Sequence, residues 1–321
     1  MKRAVLLGAA LVALQLAGCV TIDLSLFTKG PLEQQVVFGE HGPKILLLDI
    51  AGPLTTRSAR TVLGVEEGLL ARVRQQLDLA SKDDEIAALL LRIDSPGGTA
   101  IASEVLYDEI LRFKRERQIP VVAQMMGIAA SGGFYVAMAA DEVRAYPSTV
   151  TGSIGVVLFG VNLSGLMKKL GVADQTLTTG PFKDAGSPLR PMRKEEREQL
   201  LSVTRDLFER FLEVVDAGRP KLDRAHIEEL ADGRVYSARQ ALEAGLIDGL
   251  GDLPGAVEAA KRAAGISGDA RVVVYQRPGE LRENLFSSTP PPLSQQRGSW
   301  AELLREPGFL YLWTAGLPAA P

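Results

Sequence analysis

The sequence predicts an α/β fold whose parallel β-sheet is covered by helices. Three observations predict it. Apolar runs at 44–50, 86–93 and 121–125 have the length and the continuous apolar character of buried strands. Stretches of helical spacing separate them, and Gly-rich turns follow the second and third runs, which is the βαβ rhythm of a parallel sheet.

Taken in order, residues 1–19 read as an export signal rather than as part of the fold: Lys2 and Arg3, an apolar stretch from Ala4 to Leu14, then small residues before Cys19. The stretch falls short of the roughly 20 apolar residues of a bilayer-spanning helix. Residues 20–43 lack a sustained period and hold Gly30, Pro31, Gly39, Gly42 and Pro43, as a spacer would. The folded domain is expected over 44–276. Lys44 to Ile50 reads as a strand, Val62 to Leu79 as a helix, and Ile86 to Ile93 as a strand ending at Pro96-Gly97-Gly98. A helix over 102–117, a strand over 121–125, a small-residue helix from Ser131 to Ala140 and a strand over 143–146 continue the alternation. After a Gly- and Thr-rich segment, Lys194 to Asp216 has the spacing of one long amphipathic helix. Helices at 224–230, 238–244 and 255–264 and a strand at 271–276 follow. The tail, 277–321, reads as a flexible link around Pro290-Pro291-Pro292 with a short apolar helix over 300–317.

Composition narrows the function. With 321 residues, 46% hydrophobic and 23% charged, the chain can bury a sizeable core. A net charge of −3 argues against general attraction to nucleic acid. Cys19 is the sole cysteine and the histidines are His41 and His226, so no Cys/His cluster exists for zinc. His41 falls in the spacer and His226 in a charged helix, which disfavours a Ser/His/Asp triad.

Chemistry is expected at the turns. Gly127-Ile128-Ala129-Ala130-Ser131-Gly132-Gly133 links a strand to a helix. Small residues there let a substrate approach the backbone, and a serine at a helix start gains from free amides; the same pattern is also that of a tight turn with an N-capping serine. Asp94-Ser95-Pro96-Gly97-Gly98 ends the preceding strand, where sites of parallel sheets collect. Its glycines can aim amides at an oxyanion or simply terminate the strand.

These two loops, with Thr151-Gly152-Ser153-Ile154-Gly155-Val156 and Gly180-Pro181-Phe182-Lys183-Asp184-Ala185-Gly186-Ser187-Pro188, resemble the signal peptide peptidase A family of S49 serine peptidases. Arg234-Val235-Tyr236 and the stretch 241–248 extend the likeness, which spans roughly 44–264. The resemblance implies a ClpP/crotonase-like α/β fold of repeated ββα units and peptide hydrolysis by a Ser/Lys dyad, for which no metal or cofactor is expected. Matched motif to motif, Ser131 is the nucleophile, Lys183 the general base, Ser153 the hydroxyl that orients the lysine, and Gly97 or Gly98 the oxyanion donor. It also implies cleaved signal peptides and other short or unfolded peptides as substrates, and a homo-oligomeric ring, an octamer being one such size. Leu16-Ala17-Gly18-Cys19 resembles a bacterial lipobox, so Cys19 is expected to carry lipid; an uncleaved signal anchor is the alternative. Either places the enzyme in the bacterial cell envelope, tethered to membrane outside the cytoplasm. A catalytically silent scaffold and a crotonase-like acyl-CoA enzyme are the rival functions.

A lysine must be neutral to accept a proton, so an ordinary pKa of about 10.4 must be brought down toward about 7, a cost of about 4 kcal/mol that burial can meet. Pro181, Phe182 and Ala185 are expected to wall such a pocket around Lys183. Asp184 would oppose it, and is expected to point away. Lys168 and Lys169 fall on a helix with a solvated charged face.

Overall fold

Strands buried on both faces should read as continuous apolar runs, and the central sheet explains the runs in this way. The computed structural model describes residues 30–56, 59–61, 64–280, 282–287 and 308–313; Cys19 and the expected export signal lie outside them. From Leu32 onward the chain forms one unit. Its elements are β1 (Glu33–Phe38), β2 (Lys44–Ala51), β3 (Ala59–Thr61), β4 (Gly64–Glu66), α1 (Leu69–Ala80), β5 (Ile86–Ser95), β6 (Gly97–Thr99) and α2 (Ala100–Arg117). Then come β7 (Val121–Ala130), α3 (Gly132–Ala137), β8 (Glu142–Ala145), β9 (Val150–Gly152), β10 (Val157–Leu158) and α4 (Ser164–Lys169). The last are α5 (Lys194–Gly218), α6 (Arg224–Leu230), β11 (Val235–Ser237), α7 (Ala238–Glu243), β12 (Gly249–Leu250), α8 (Leu253–Ala263), β13 (Arg271–Gln276) and β14 (Phe309–Leu312).

The main sheet runs β1-β13-β2-β5-β7-β8-β12, with β9 paired to the far end of β7 and β11 to β9. Strands β13 through β12 are mutually parallel. Side-chain alternation divides the runs between two layers. Leu46, Leu48, Leu89, Leu91, Ile93 and Met125 face α1, α2, α3 and α5. Ile45, Leu47, Ala88, Leu90 and Val122 pack against Leu253, Ala256, Val257 and Ala260 of α8. A second sheet, β10-β14-β6, lies beside the ends of β5 and β7.

Four expectations are corrected. The spacer is shorter than 20–43, because Glu33–Phe38 pairs antiparallel with β13 and belongs to the sheet. Helix α1 begins at Leu69 instead of residue 62, since Gly64 sits in the β3–β4 hairpin and Gly68 caps the helix with extended backbone. Strand β7 runs on to Ala130, because β9 supplies a partner for Ile128, Ala129 and Ala130 where β8 has ended. Residues 309–312 are a strand, not helix: two open strand edges satisfy their backbone. The early tail is also tied down, as Arg92, fully paired to Asp49 across β2 and β5, donates to the carbonyls of Leu285 (2.8 Å) and Ser287 (2.9 Å).

Candidate active site

The ends of β5, β7 and β9 converge on one point. After β5, the Ser95 hydroxyl donates to the Gly52 carbonyl (2.7 Å) and accepts from the Gly97 amide (3.1 Å). Gly97 has a φ of 96°, and a Cβ there would collide with the Tyr311 carbonyl and stand 2.7 Å from the Gly132 nitrogen. A Cβ on Gly98 would strike the backbone of Leu54. Both positions therefore need glycine, the first for its dihedral and the second for close backbone approach.

Ser131 joins β7 to α3 and is 1% exposed. Its backbone, φ 52° and ψ −114°, is a conformation that costs a non-glycine residue about 1–3 kcal/mol. It is held there by its amide, which donates to the Gly152 carbonyl (2.7 Å), and by its carbonyl, which accepts from the Tyr135 amide (2.8 Å). The serine stands at the N-cap position, yet its hydroxyl makes no capping hydrogen bond. Of the two readings the sequence allowed, the N-capping turn is therefore the weaker. Among the described residues three non-glycines have positive φ: Gln118, which ends α2, and the pair Ser131 and Ser153. Ser153 is fixed through its amide, which donates to the Arg234 carbonyl (2.7 Å).

Ser131 and Ser153 line one cleft of about 380 Å³, together with Phe208, Arg205, Asp232 and Leu312. Its charged residues offer no base. Guanidinium does not deprotonate, and the hydrogen bond from Arg234 holds the Asp232 carboxyl down at about 2.

Lys183 is not among the residues lining this cleft. It lies in consecutive turns, where its amide donates to the Gly180 carbonyl (3.1 Å), and it is exposed. The expected apolar wall is absent within the single chain, since Pro181 is exposed and Phe182 is 49% exposed. Asp184 does turn away: its carboxylate accepts from Arg190 (2.8 Å), which holds it below the usual carboxylate range. Arg190 also donates to Glu196 (2.9 Å), which Arg193 grips as well, and Arg193 reaches the Pro181 carbonyl. Glu196 is fully buried, and Arg190 keeps its carboxyl at about 2. These four side chains latch the lysine turn to the start of α5. Lys168 and Lys169 end α4 and are exposed.

Sequence reasoning missed several participants. Gly132 follows the serine directly, and its nitrogen stands close to Gly97, a meeting of two turns that neither motif reveals alone. Asp232, Gly233 and Leu312 line the cleft from remote segments that carry no local signal.

A mixed sheet with a parallel core, covered by helices and with glycine-bearing turns at its strand ends, is a ClpP/crotonase-like α/β fold, and the family model for Clp protease matches residues 50–151. The family model for peptidase family S49 matches residues 113–267, and the chain belongs to that family and is a serine peptidase. It is 33% identical over 244 residues to a protein of Enterococcus faecium that carries the name signal peptide peptidase SppA, covering 76% of this chain and 70% of the relative. A Synechocystis protein named as a protease is 36% identical over 226 residues, 70% of this chain and 76% of that one. The chloroplastic serine protease SPPA of Arabidopsis thaliana is 33% identical over 241 residues, 74% of this chain and 34% of that longer protein.

Proposed function

We propose that this chain is a membrane-tethered endopeptidase that attacks peptide bonds with Ser131 and uses Lys183 as general base. The observation that carries the reading is Ser131 itself: buried at a strained junction, its hydroxyl unused by the helix it precedes, and opening onto a cleft. Ser131 Oγ attacks the scissile carbonyl as its proton passes to the neutral lysine. The Gly98 and Gly132 amides receive the developing oxyanion, Gly97 being engaged with Ser95. The lysine returns the proton to the leaving amine and then activates the water that releases the acyl group. Ser153 orients the amine.

No residue lining the cleft can serve as base, so the base must arrive from elsewhere. Between the cleft and Lys183 the chain exposes Phe159, Val161, Leu163, Leu166, Leu170, Val172 and Leu177. So much apolar surface on one segment supports a homo-oligomer in which copies cover one another there and bury the lysine turn against a serine cleft. Cleaved signal peptides and other short unfolded peptides are the substrates that the SppA-named relative suggests. Among the described residues no helix is long and apolar enough to cross a membrane, so the tether falls to the first nineteen residues, through lipid on Cys19 or a signal anchor.

The test is hydrolysis of an apolar peptide by the purified protein beside its Ser131→Ala and Lys183→Ala variants. Each substitution is expected to lower kcat by at least about 10³-fold with folding intact. Full activity of Ser131→Ala would overturn the nucleophile; full activity of Lys183→Ala would overturn the base alone.

A further inference from the structure

Strand β14 comes from far along the chain, yet it lies between two site strands, antiparallel to both. It pairs with β6 in the register Leu310↔Thr99, Tyr311↔Gly98 and Leu312↔Gly97, and with β10 as Leu310↔Val157 and Phe309↔Leu158. The opposite edge of β6 is taken by Leu54, whose amide donates to the Gly97 carbonyl (2.9 Å) and whose carbonyl accepts from the Thr99 amide (2.8 Å). Backbone groups alternate along a strand, so the Gly98 amide and carbonyl face β14. The Trp313 amide, donating to the Pro96 carbonyl (2.9 Å), fixes the same phase one pair further on. The Tyr311 carbonyl is thereby the acceptor for Gly98. The same oxygen stands 3.1 Å from where a Gly132 Cβ would be. One carbonyl of the chain thus faces the Gly98 amide and lies close to Gly132, the residue that follows Ser131.

The side chains follow the alternation that a bound peptide would. Tyr311 is buried, stacked on Tyr135 (centroids 5.2 Å apart) and close to Phe211 (4.7 Å), and its hydroxyl donates to the Leu207 carbonyl (2.7 Å). Leu310 and Leu312 turn to the other side against Val157, and Leu312 lines the cleft. Main-chain pairing on both edges with pockets for alternate side chains is how an extended peptide is recognised by strand addition.

We propose that β14 occupies the peptide-binding groove from within the chain and holds the site autoinhibited, and that its register marks the substrate class: an extended apolar peptide with an aromatic residue, in the place of Tyr311, on the acyl side of the cleaved bond. This rests on the reading of Ser131 as nucleophile. Substrate enters when β14 leaves.

The test labels the intact protein with a peptidyl phosphonate ending in a tyrosine analogue and follows hydrogen exchange of the β14 amides. Labelling at Ser131 is expected to abolish their protection, since probe and strand need the same edges. Labelling at Ser131 with β14 still protected overturns the proposal and leaves the catalytic reading standing. Absence of labelling, with Ser131→Ala fully active, removes the catalytic reading and the proposal with it. In a second measurement, a chain ending at Pro307 is expected to cleave an apolar peptide with tyrosine before the bond at least tenfold more efficiently than the full chain, through a lower KM. An unchanged KM in a folded truncated chain would refute autoinhibition. Should truncation unfold the protein, the exchange experiment decides alone.

Discussion

The two halves of the proposed dyad are built in opposite ways. The serine half is assembled by the core: Ser131 lies between β7 and α3, and its neighbours Ala129, Ala130, Phe134 and Tyr135 are fully buried. Backbone hydrogen bonds to Gly152 at the end of β9 and from Tyr135 of α3 hold it, and a side-chain change cannot easily reach them. The lysine half is held locally, by Arg190, Arg193, Asp184 and Glu196 at the start of α5, and the segment before it exposes a row of large apolar residues. In the proposed dyad the nucleophile is rigid, and the base needs an environment completed from outside its own fold.

That contrast can be broken most sharply at the serine side. Gly98→Ala drives a Cβ into the Leu54 backbone, which has no flexible end to move aside. It is expected to lower kcat/KM by about 10²–10³-fold, the worth of one oxyanion donor, as steady-state kinetics would read. Phe211→Ala removes a ring packed between Tyr135 and Tyr311 behind the nucleophile helix. Urea unfolding should show a loss of about 3–5 kcal/mol, with activity falling because α3 loses its support. At the lysine side the effects are local. Glu196→Gln weakens the grip of Arg190 and Arg193, and amides of 180–190 are expected to exchange faster while those of β5 and β7 do not change.

Acid reads the same latch. The Glu196 carboxyl is held at about 2 by Arg190, below its ordinary 4.5. A depressed carboxylate contributes stability that is whole above about 4.5 and lost as pH falls through about 2. Pepsin cleavage near Phe182 and Leu189 should therefore stay slow at pH 4 and accelerate toward pH 2. Smallest of all, Leu177→Ser, at a side chain 97% exposed, is expected to change the stability of the chain by less than about 0.5 kcal/mol. If copies assemble through this segment, the same substitution should shift the sedimentation profile toward smaller species.

Much of the fold was legible in the sequence because burial on both faces leaves long apolar runs. Strands β2, β5 and β13 and helices α2, α5 and α8 stand where period and composition put them. Elements defined by their partners were not legible. β1 carries little local signal and is a strand because β13 offers an open edge, while 309–312 exchanged an expected helix for a strand because β6 and β10 left a gap.

The site divides along the same line. The residue types at the turns, the serine before two glycines and the glycines after β5, were set by the sequence, since the strained dihedral and close approach admit few alternatives. Tertiary structure decided that Gly97 is spoken for by Ser95, that the Ser131 hydroxyl is left unused by its helix, and that Lys183 stands outside the cleft. Each of these depends on the backbone path that the surrounding strands impose on the turn, such as the Gly152 carbonyl that holds the Ser131 amide, and a path set by distant partners leaves no trace in local pattern.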